Sequence, residues 1–586
     1  MKRTLFLLAV SAIVVMTVPA QAAEADQKLE AFFRDYLEEV FKLRPLDATQ
    51  LGDHRFDALL DDISPEARAG WLALDKRRLA ALPNEVSFDA LSADGKVSYG
   101  ILRDELARSI WLAENTHRFE EDPRVYGGYI SDCVFSLLTQ STLPRETNIT
   151  NAIARMAHIP RIVAAAKTTI TTPPPSVLET AVLQNRGAIL FYEQELFTLA
   201  GETPQLAALK KAAEPVVAAL RTHQEFLEKE VRPRATGEWR LGKVKFSRKL
   251  DLVLDAGTSA DDVLAAAEAE LVRVRSDMYV VARQLWSEHF PKQPLPPDDA
   301  AGRMRTITQV LRRVGENHGP PERLIADARA TVGRIKAFIQ ERDILRLPEP
   351  DRCLILEMPE FRRGNSAAYL DPALPLDPLG SSTYAVSPPP ADWSAGRIRS
   401  FLEEYNQHML QVLTIHEAYP GHYVQLEYAN RQKSLIRRAL GSGVFAEGWA
   451  VYTEQMMLDQ GYGDGDLELR LNQLKFFLRT VANAILDHKM HCTELSDEAA
   501  LRFLMDDAFQ SEGEARLKII RAKQSSVQLS TYFVGRTAFY NLRQQVQREL
   551  GDKFDLGRYH EAVLAHGSVP VKYLPELVRR RLAEPR

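Results

Sequence analysis

The sequence predicts a mainly α-helical protein with one small β-sheet. Most segments from residue 23 to about residue 345 carry apolar residues at three- and four-residue spacing, as in Asp262 to Trp286. Nine prolines between Arg346 and Trp393 exclude a continuous helix there. Two runs within that stretch, 353–358 and 382–387, are rich in strand-forming residues. Helical periodicity then resumes from Ser394 and is predicted to continue through Leu440.

The length of the chain predicts more than one structural part. Its 586 residues exceed what a single hydrophobic core usually serves. We expect an N-terminal helical region, 23–345, and a catalytic zinc-binding region, 346–586, as parts of one continuous domain. They form either two lobes with a ligand cleft between them or one core with a large helical elaboration. Three cysteines, Cys133, Cys353 and Cys492, permit at most one disulfide, so the hydrophobic core must supply the stability.

The N-terminus predicts export from the cytoplasm. Met-Lys-Arg is followed by an apolar run from Leu5 to Val18 and by Pro19-Ala20-Gln21-Ala22, the order found in a cleavable secretory signal. We therefore expect a signal peptide at 1–22 and a periplasmic or secreted protein that begins near Ala23. No stretch approaches the ~20 apolar residues of a membrane span. No cysteine adjoins the cleavage site, so a lipidated form is not expected.

The charge balance excludes two classes of partner. The formal net charge is -5 at pH 7, which argues against binding to nucleic acid or to an anionic membrane surface. Charge does not select among the remaining partners, and the oligomeric state stays open.

One segment, Leu413 to Gln425, carries the strongest chemical signal. It contains His416-Glu417 and a second histidine, His422, six positions after the first. In the common His-Glu-x-x-His motif the histidines lie four apart on one helical face, bind zinc together and leave the glutamate as general base. Six residues at ~100° each would move His422 off that face. Pro420 and Gly421 can break the helix, since Pro removes a donor and Gly tolerates unusual backbone angles, so we expect His422 to return to the metal.

A carboxylate on a second predicted helix completes the candidate metal site. Glu447 follows His422 by 25 residues, within Phe445 to Glu454. Two histidines and one glutamate leave a coordination position open for water, as in catalytic zinc sites. Glu454 lies on nearly the same helical face as Glu447 and is either a support for a ligand histidine or itself the ligand. We favour Glu447 as the ligand and Glu454 as its support, and helical context favours zinc over iron.

These motifs resemble the bacterial domain-of-unknown-function family 885. Its hallmark, His-Glu-Ala-x-Pro-Gly-His followed by Glu-Gly-Trp-Ala, is intact at 416–422 and 447–450. Pro45 to His54 resembles the N-terminal signature of the family, and Gln528, Tyr532 and Gly535 match its C-terminal one. The resemblance covers nearly the whole mature chain. It implies a large helical zincin-like fold of the thimet-oligopeptidase type, with a gluzincin-like Zn²⁺ site and a substrate channel.

Three residues are candidates for stabilising an oxyanion, by their chemistry and by the family match. A Tyr hydroxyl or a His N–H can donate to the developing charge. Tyr532 is the first choice, His491 the second and Tyr369 the third. Trp449 and His408 are expected to have structural roles, and the predicted strand 382–387 is a candidate edge strand for pairing with an extended peptide.

The function expected from these residues is zinc-dependent hydrolysis of peptide bonds in short peptides. A metal-activated water would attack, with Glu417 as the general base. The alternatives are a metal-dependent amidase acting on a non-peptide substrate and a non-catalytic exported protein that binds metal or peptide. Glu417 argues against the non-catalytic alternative, because a base beside the histidines has no purpose unless a water is activated. Exopeptidase and endopeptidase action, and side-chain preference, stay open.

Overall fold

A computed structural model of the chain describes residues 2–358, 368–390 and 392–585, with side chains from residue 21 onward. The apolar side chains of the predicted signal peptide therefore lie outside the described part. Helices of the first half are α1 (Lys2–Leu43), α2 (Pro45–Leu51), α3 (Pro65–Glu85), α4 (Ala93–Asn115), α5 (Arg118–Glu121), α6 (Arg124–Thr139), α7 (Arg145–Met156), α8 (Ile159–Thr169), α9 (Pro175–Leu190), α10 (Leu196–Ala200), α11 (Leu206–Phe226), α12 (Gly242–Leu254), α13 (Ala260–His289), α14 (Ala300–Gly315) and α15 (Leu324–Glu341).

The second half contains a small sheet and further helices. The strands are β1 (Cys353–Glu357), β2 (Ala368–Asp371) and β3 (Ser382–Val386). The helices are α16 (Ala395–Glu404), α17 (Gln407–Glu417), α18 (His422–Asn430), α19 (Leu435–Ala439), α20 (Gly443–Asp459), α21 (Leu467–Cys492), α22 (Asp497–Arg502), α23 (Glu512–Gln524), α24 (Thr531–Leu550), α25 (Leu556–Leu564) and α26 (Leu574–Ala583). The predicted fold class, mainly helical with one small sheet, is confirmed.

Local sequence accounts for the ends of several helices. The periodic segment Asp262 to Trp286 lies within α13, and the Ser259 side chain caps that helix by accepting from the Asp262 N–H, as expected. The helical stretch predicted from Ser394 to Leu440 is divided into α16, α17, α18 and α19, and the break between α17 and α18 falls at the expected Pro420-Gly421. Asn406 ends the first of these segments and caps α17 by accepting from two backbone N–H groups.

The chain forms two compact units. The first comprises residues 1–237, 374–378 and 430–441, and the second comprises 238–373, 379–429 and 442–586. The expected division at residue 345 differs from this one. Helices α12 to α15 belong to the second unit because α13 packs along α21 and α14, and because α15 packs against α17.

The first unit has its own apolar core and holds the Pro45 to His54 segment. Helices α6 to α11 supply most of the buried apolar side chains of that core. The His54 ring contacts two carboxylates, with Nδ1 2.8 Å from Asp57 Oδ2 and Nε2 3.1 Å from Asp377 Oδ2. Both carboxylates are buried. The N-terminal signature thus ties residues 374–378 to the first unit.

The small sheet lies beside α17 in the second unit. Its strand order is β1-β3-β2, with β1 parallel and β2 antiparallel to β3. The expectation that 382–387 is an edge strand was wrong, because β3 pairs on both sides. The sequence missed β2, a strand of four residues followed by Pro372. A hydrogen bond of 3.0 Å between the Tyr384 and Thr414 hydroxyls joins β3 to α17.

Close backbone packing joins α20 to α24. A Cβ added to Gly448 would lie 2.4 Å from the Gly535 backbone, and one added to Gly535 would lie 2.1 Å from the Val444 carbonyl oxygen. The two glycines therefore allow the helices to touch, which fixes the helix that carries Glu447. The three cysteines are free thiols. Among its described residues, the chain has no helix with the length and apolar character needed to cross a membrane.

Candidate metal centre

The turn between α17 and α18 brings the two histidines together. It spans residues 418–421, where the Ala418 N–H bonds to the Thr414 carbonyl at 3.0 Å and the Gly421 N–H bonds to the Ile415 carbonyl at 3.0 Å. A Cβ on Gly421 would lie 1.9 Å from the His416 carbonyl oxygen. Glycine is needed here for this close approach of the backbone, whereas the φ angle of Gly421 is not positive.

The turn places three ligand-type side chains around one point. The rings of His416 and His422 are perpendicular, with centroids 4.8 Å apart. Glu447 Oε2 lies 3.8 Å from His416 Nε2 and 3.4 Å from His422 Nε2. One possible ligand atom on each of the three residues lies within 4.8 Å of those on the other two. Among the described residues, this is the cluster of His, Cys, Asp or Glu side chains that could hold a metal ion.

The spacing and chemistry of these three side chains fit a zinc ion. Donors bound at the usual 2.0–2.2 Å in a tetrahedron lie about 3.4 Å from one another, close to the separations found here. Burial and the neighbouring His422 lower the pKa of His416 to about 3, so its ring is neutral, as a ligand must be. Burial raises the pKa of Glu447, but hydrogen bonding and charge from His422 bring it below its usual range. Burial lowers the pKa of His422, but hydrogen bonding and charge from Glu447 raise it above its usual value, so this ring must release its proton when it binds a metal. With that proton released, the set offers two neutral imidazoles and one carboxylate.

Glu454 contacts the Nδ1 atom of His416 and does not belong to the group formed by His416, His422 and Glu447. Its Oε1 is 2.7 Å from His416 Nδ1, and its side chain is fully buried, whereas that of Glu447 is 25% exposed. In the tautomer that leaves Nε2 free for a metal, Nδ1–H donates to Glu454 and fixes the ring. These positions suit the favoured assignment of Glu447 as ligand and Glu454 as support, which stays a prediction.

Glu417 lies next to the group without joining it. Glu417 is half-buried, and this burial raises its pKa to about 7, although the charge of His422 and a backbone hydrogen bond from Leu370 oppose the rise. Leu370 belongs to β2, so the strand that the sequence missed positions the candidate base. A positive charge at the neighbouring group would favour the ionised carboxylate.

Tyr532, at the start of α24, lies near Glu447. The charge of Glu447 adds to the effect of burial in raising the pKa of the Tyr532 hydroxyl. That hydroxyl accepts from Arg521 Nη2 at 3.2 Å and from Gln528 Nε2 at 3.4 Å. Both contacts use the oxygen as an acceptor, so the hydroxyl proton is available for another partner.

The other oxyanion candidates have different surroundings. His491 Nε2 contacts the carbonyl oxygens of Ala522 and Ser525 at 3.0 and 2.9 Å. Its ring stacks on Phe246. These contacts are typical of a histidine that stabilises the fold. His491 does not belong to the group formed by His416, His422 and Glu447. Tyr369 is in β2, opposite Ala385 of β3.

His408 lies at the far end of α17 from His416. Its ring contacts Glu468 Oε2 at 2.9 Å and Asp466 Oδ2 at 3.4 Å. These carboxylates begin α21, so His408 joins the starts of two helices, the structural role expected for it.

Three supporting residues were missed or undervalued from the sequence. Trp449 is fully buried as expected, and its Nε1–H also donates to the Pro420 carbonyl at 2.8 Å, which holds the 418–421 turn. Phe476 packs edge-on against the His416 ring, with centroids 5.9 Å apart. Arg521 contacts the Tyr532 hydroxyl. Only Trp449, within Glu-Gly-Trp-Ala, carried a sequence signal.

Two solved structures are similar to the chain over almost its whole length. One is a candidate lipoprotein of unknown function from Shewanella oneidensis, with 30% identity, a TM-score of 0.79, and coverage of 94% of this chain and 99% of that chain. The other is a candidate lipoprotein from Colwellia psychrerythraea, with 18% identity, a TM-score of 0.78, and coverage of 95% and 99%. At that identity the second likeness concerns the fold alone.

The family match agrees with the motifs. No curated protein matches the chain. Residues 45–578 match the family described as bacterial protein of unknown function (DUF885), a range that includes every residue of the candidate centre. The chain therefore belongs to the DUF885 family.

Proposed function

We propose that this protein is a zinc metallopeptidase that hydrolyses peptide bonds in short peptides. One observation carries the proposal: Glu417, a carboxylate with a raised pKa, lies beside a two-histidine, one-glutamate group to which it does not itself belong. A purely structural metal site uses all four positions for protein ligands and needs no adjacent base. The arrangement His416, His422 and Glu447 provides three ligands and leaves one position open.

Each residue of the centre has a role in this proposal. Zinc bound there would polarise the substrate carbonyl and lower the pKa of a water molecule. His416, His422 and Glu447 would hold the ion, and Glu454 would keep His416 in the correct tautomer. Glu417 accepts the proton of the attacking water and returns it to the leaving amine. The Tyr532 hydroxyl donates to the carbonyl oxygen as negative charge develops on it.

The proposal also includes export and a zincin-like fold. The solved relatives are candidate lipoproteins, which fits a protein outside the cytoplasm. The Met-Lys-Arg start with its apolar run is the sequence feature that supports a signal peptide at 1–22. A gluzincin of the thimet-oligopeptidase type, with a substrate channel that admits short peptides, is the corresponding proposal for the fold.

Glu417→Gln tests the proposal directly. Glutamine keeps the size and hydrogen bonding of the side chain but cannot accept the proton, so peptide hydrolysis should fall at least ~10²-fold. Zinc content should stay near that of the parent, since Glu417 is not a ligand. The measurements are the hydrolysis rate on a library of short peptides and zinc content by atomic emission.

The exposed Glu341, at the end of α15, supplies the control. Glu341→Gln makes the same chemical change in the same unit and should leave the rate unchanged. Equal hydrolysis by the parent and by Glu417→Gln would contradict the mechanism. Hydrolysis of non-peptide amides alone would favour the amidase alternative. Zinc and peptide binding with no hydrolysis of any amide would favour a binding protein.

A further inference from the structure

Helix α23 carries positively charged side chains beside the candidate centre. Lys518 and Arg521 lie three residues apart, one turn of this helix, and Arg479 of α21 is close enough for its charge to affect Lys518. Arg479 also has a link to the metal ligands, because its guanidinium lies 5.8 Å from the Phe476 ring that packs on His416. Arg479 thus connects the α23 side chains to the surroundings of His416.

Arg479 has an anionic partner within this group. Its Nη2 lies 3.2 Å from Glu514 Oε2, and Glu514 Oε1 also accepts from the Tyr405 hydroxyl at 3.3 Å. Because Glu514 is already engaged by these two side chains, it neutralises one positive charge. Among the described residues, neither Lys518 nor Arg521 forms an ion pair with a carboxylate, although the charge of Glu514 acts on Lys518 from one turn away in α23.

Lys518 is a buried amine without a hydrogen-bond or ion-pair partner among the described residues. Its side chain is almost fully enclosed, with 4% exposure. Burial and the charges of Arg479 and Arg521 hold the pKa of Lys518 well below its usual range. The charge of Glu514 opposes this lowering, and a second carboxylate close to the amine would further favour its protonated form.

Arg521 connects this positive charge to the catalytic candidates. Its guanidinium contacts two neutral oxygens, Gln528 Oε1 at 2.7 Å and the Tyr532 hydroxyl at 3.2 Å. After burial and the two histidines, Arg521 is among the charges that affect the pKa of Glu447. The side chain is exposed, so it can contact a bound molecule. The positive charge is therefore adjacent both to the proposed oxyanion donor and to a proposed ligand.

We propose that Lys518 and Arg521 form a carboxylate-binding subsite for the peptide substrate, an inference that rests on the proposed peptidase function. Every unmodified peptide carries a C-terminal carboxylate, and charge-assisted hydrogen bonds from lysine and arginine are the usual way to hold one. Binding of the C-terminal carboxylate to Lys518 and Arg521 would fix which peptide bond lies next to the metal. The subsite would therefore favour short peptides with a free C-terminus. An acidic side chain near the scissile bond offers the same chemistry.

Peptides that differ only in this carboxylate test the subsite. The zinc-loaded protein is compared on one short peptide as the free acid, as the C-terminal amide, and as an amide with Glu as its last residue. The free acid should have a kcat/KM at least about 10-fold above that of the plain amide, mainly through KM. If the amide that ends in Glu is also cleaved with a higher kcat/KM than the plain amide, a side-chain carboxylate near the C-terminus can occupy the subsite as well. Equal kcat/KM for all three would overturn the subsite and leave the peptidase proposal standing.

Variants assign the preference to the two cations. Lys518→Met and Arg521→Gln should each reduce the acid-to-amide ratio of kcat/KM towards one. Arg521→Lys, which keeps the charge, should restore part of it. The ratio matters more than the absolute rate, because Arg521 also contacts Tyr532. Arg516→Gln is the control, since Arg516 is exposed on the same helix and paired with Glu512 at 2.7 Å. An unchanged ratio in both Lys518→Met and Arg521→Gln would overturn the assignment.

Two further measurements separate this proposal from the peptidase proposal and from a structural role. Zinc-loaded Glu417→Gln should bind the peptide acid about 10-fold more tightly than its amide, measured by calorimetry, whether or not the parent hydrolyses either peptide. Equal binding would overturn the subsite. Lys518→Met should unfold at the same or a higher temperature than the parent, because it replaces a buried amine that has no hydrogen-bond or ion-pair partner with an apolar side chain of similar length. A large loss of stability would show that Lys518 serves the fold.

Discussion

At the scale of single residues, three glutamates acquire different chemistry from their surroundings. Glu447 is partly exposed and beside both histidines, so it stays ionised. Glu454 is fully enclosed, and burial raises its pKa well above the usual value while it contacts His416. Glu417 lies between these extremes, with a pKa raised to about 7 by burial. The three glutamate side chains are thereby suited to three proposed roles: metal ligand, hydrogen-bond support of His416, and general base.

The difference between Glu447 and Glu454 gives a quantitative prediction. Glu447→Ala removes a ligand and should abolish tight zinc binding, whereas Glu454→Ala removes a support and should weaken affinity only about 10- to 100-fold. Competition with a chromophoric chelator measures both constants. The reverse order would exchange the two roles. Glu341→Gln, remote from both histidines in sequence and exposed, should bind zinc as the parent does.

At the scale of elements, the break between α17 and α18 brings the two histidines of the proposed centre together. A continuous helix would carry His416 and His422 on different faces. The chain instead leaves the helix at Glu417, and the Trp449 indole of α20 holds the Pro420 carbonyl while Gly421 packs against the last carbonyls of α17. Helix α20 therefore carries one proposed ligand, Glu447, and also fixes the turn that presents another, His422.

Gly421→Ala tests the dependence of the centre on this turn. The new methyl group would lie 1.9 Å from the His416 carbonyl oxygen, so the turn must move. We expect a loss of about 1–3 kcal/mol in the free energy of unfolding, together with at least a 10-fold loss of zinc affinity. Chemical denaturation and chelator competition measure the two effects.

Gly333→Ala is the matched control for this substitution. Gly333 lies in α15 of the same unit, and a Cβ there meets no atom within 4 Å. Alanine should stabilise the helix by up to about 1 kcal/mol and leave zinc affinity unchanged. Equal behaviour of the two variants would show that close packing at Gly421 does not control the centre.

At the scale of the whole molecule, every residue of the proposed centre belongs to the second unit. His416, His422, Glu447, Glu454 and Tyr532 all lie in residues 379–429 and 442–586. The first unit encloses its own core and its own His54 contacts. Metal binding should consequently stabilise one unit and leave the other nearly unchanged.

Metal removal tests that consequence. The purified mature protein should hold about one zinc per chain, and free zinc at 100-fold above the dissociation constant should stabilise the second unit by about 2.7 kcal/mol. Hydrogen exchange with and without a chelator should show faster exchange in α17 and α20 after zinc removal, with α6 to α11 unchanged. Near-zero zinc after supplementation would contradict the site.

The sequence by itself determined the local features of the protein. Periodicity and capping residues gave helices such as α13, and proline density with strand-forming runs located β1 and β3. The residue types and spacing at His416, Glu417, His422 and Glu447 were enough to propose a metal centre, because ligand chemistry depends on side-chain identity. Helix periodicity, strand composition and motif spacing each depend on residues that are close together in the sequence, so the sequence alone is enough to recognise them.

Only the tertiary structure decided which distant segments meet. β2 was too short to recognise, yet its Leu370 N–H contacts Glu417, and its pairing makes β3 a central strand. The placement of α12 to α15 and the proximity of α23 to Tyr532 likewise follow from packing between segments far apart in the chain. Such contacts depend on the complementary shapes of surfaces that form only after the helices have folded, and no local pattern records them.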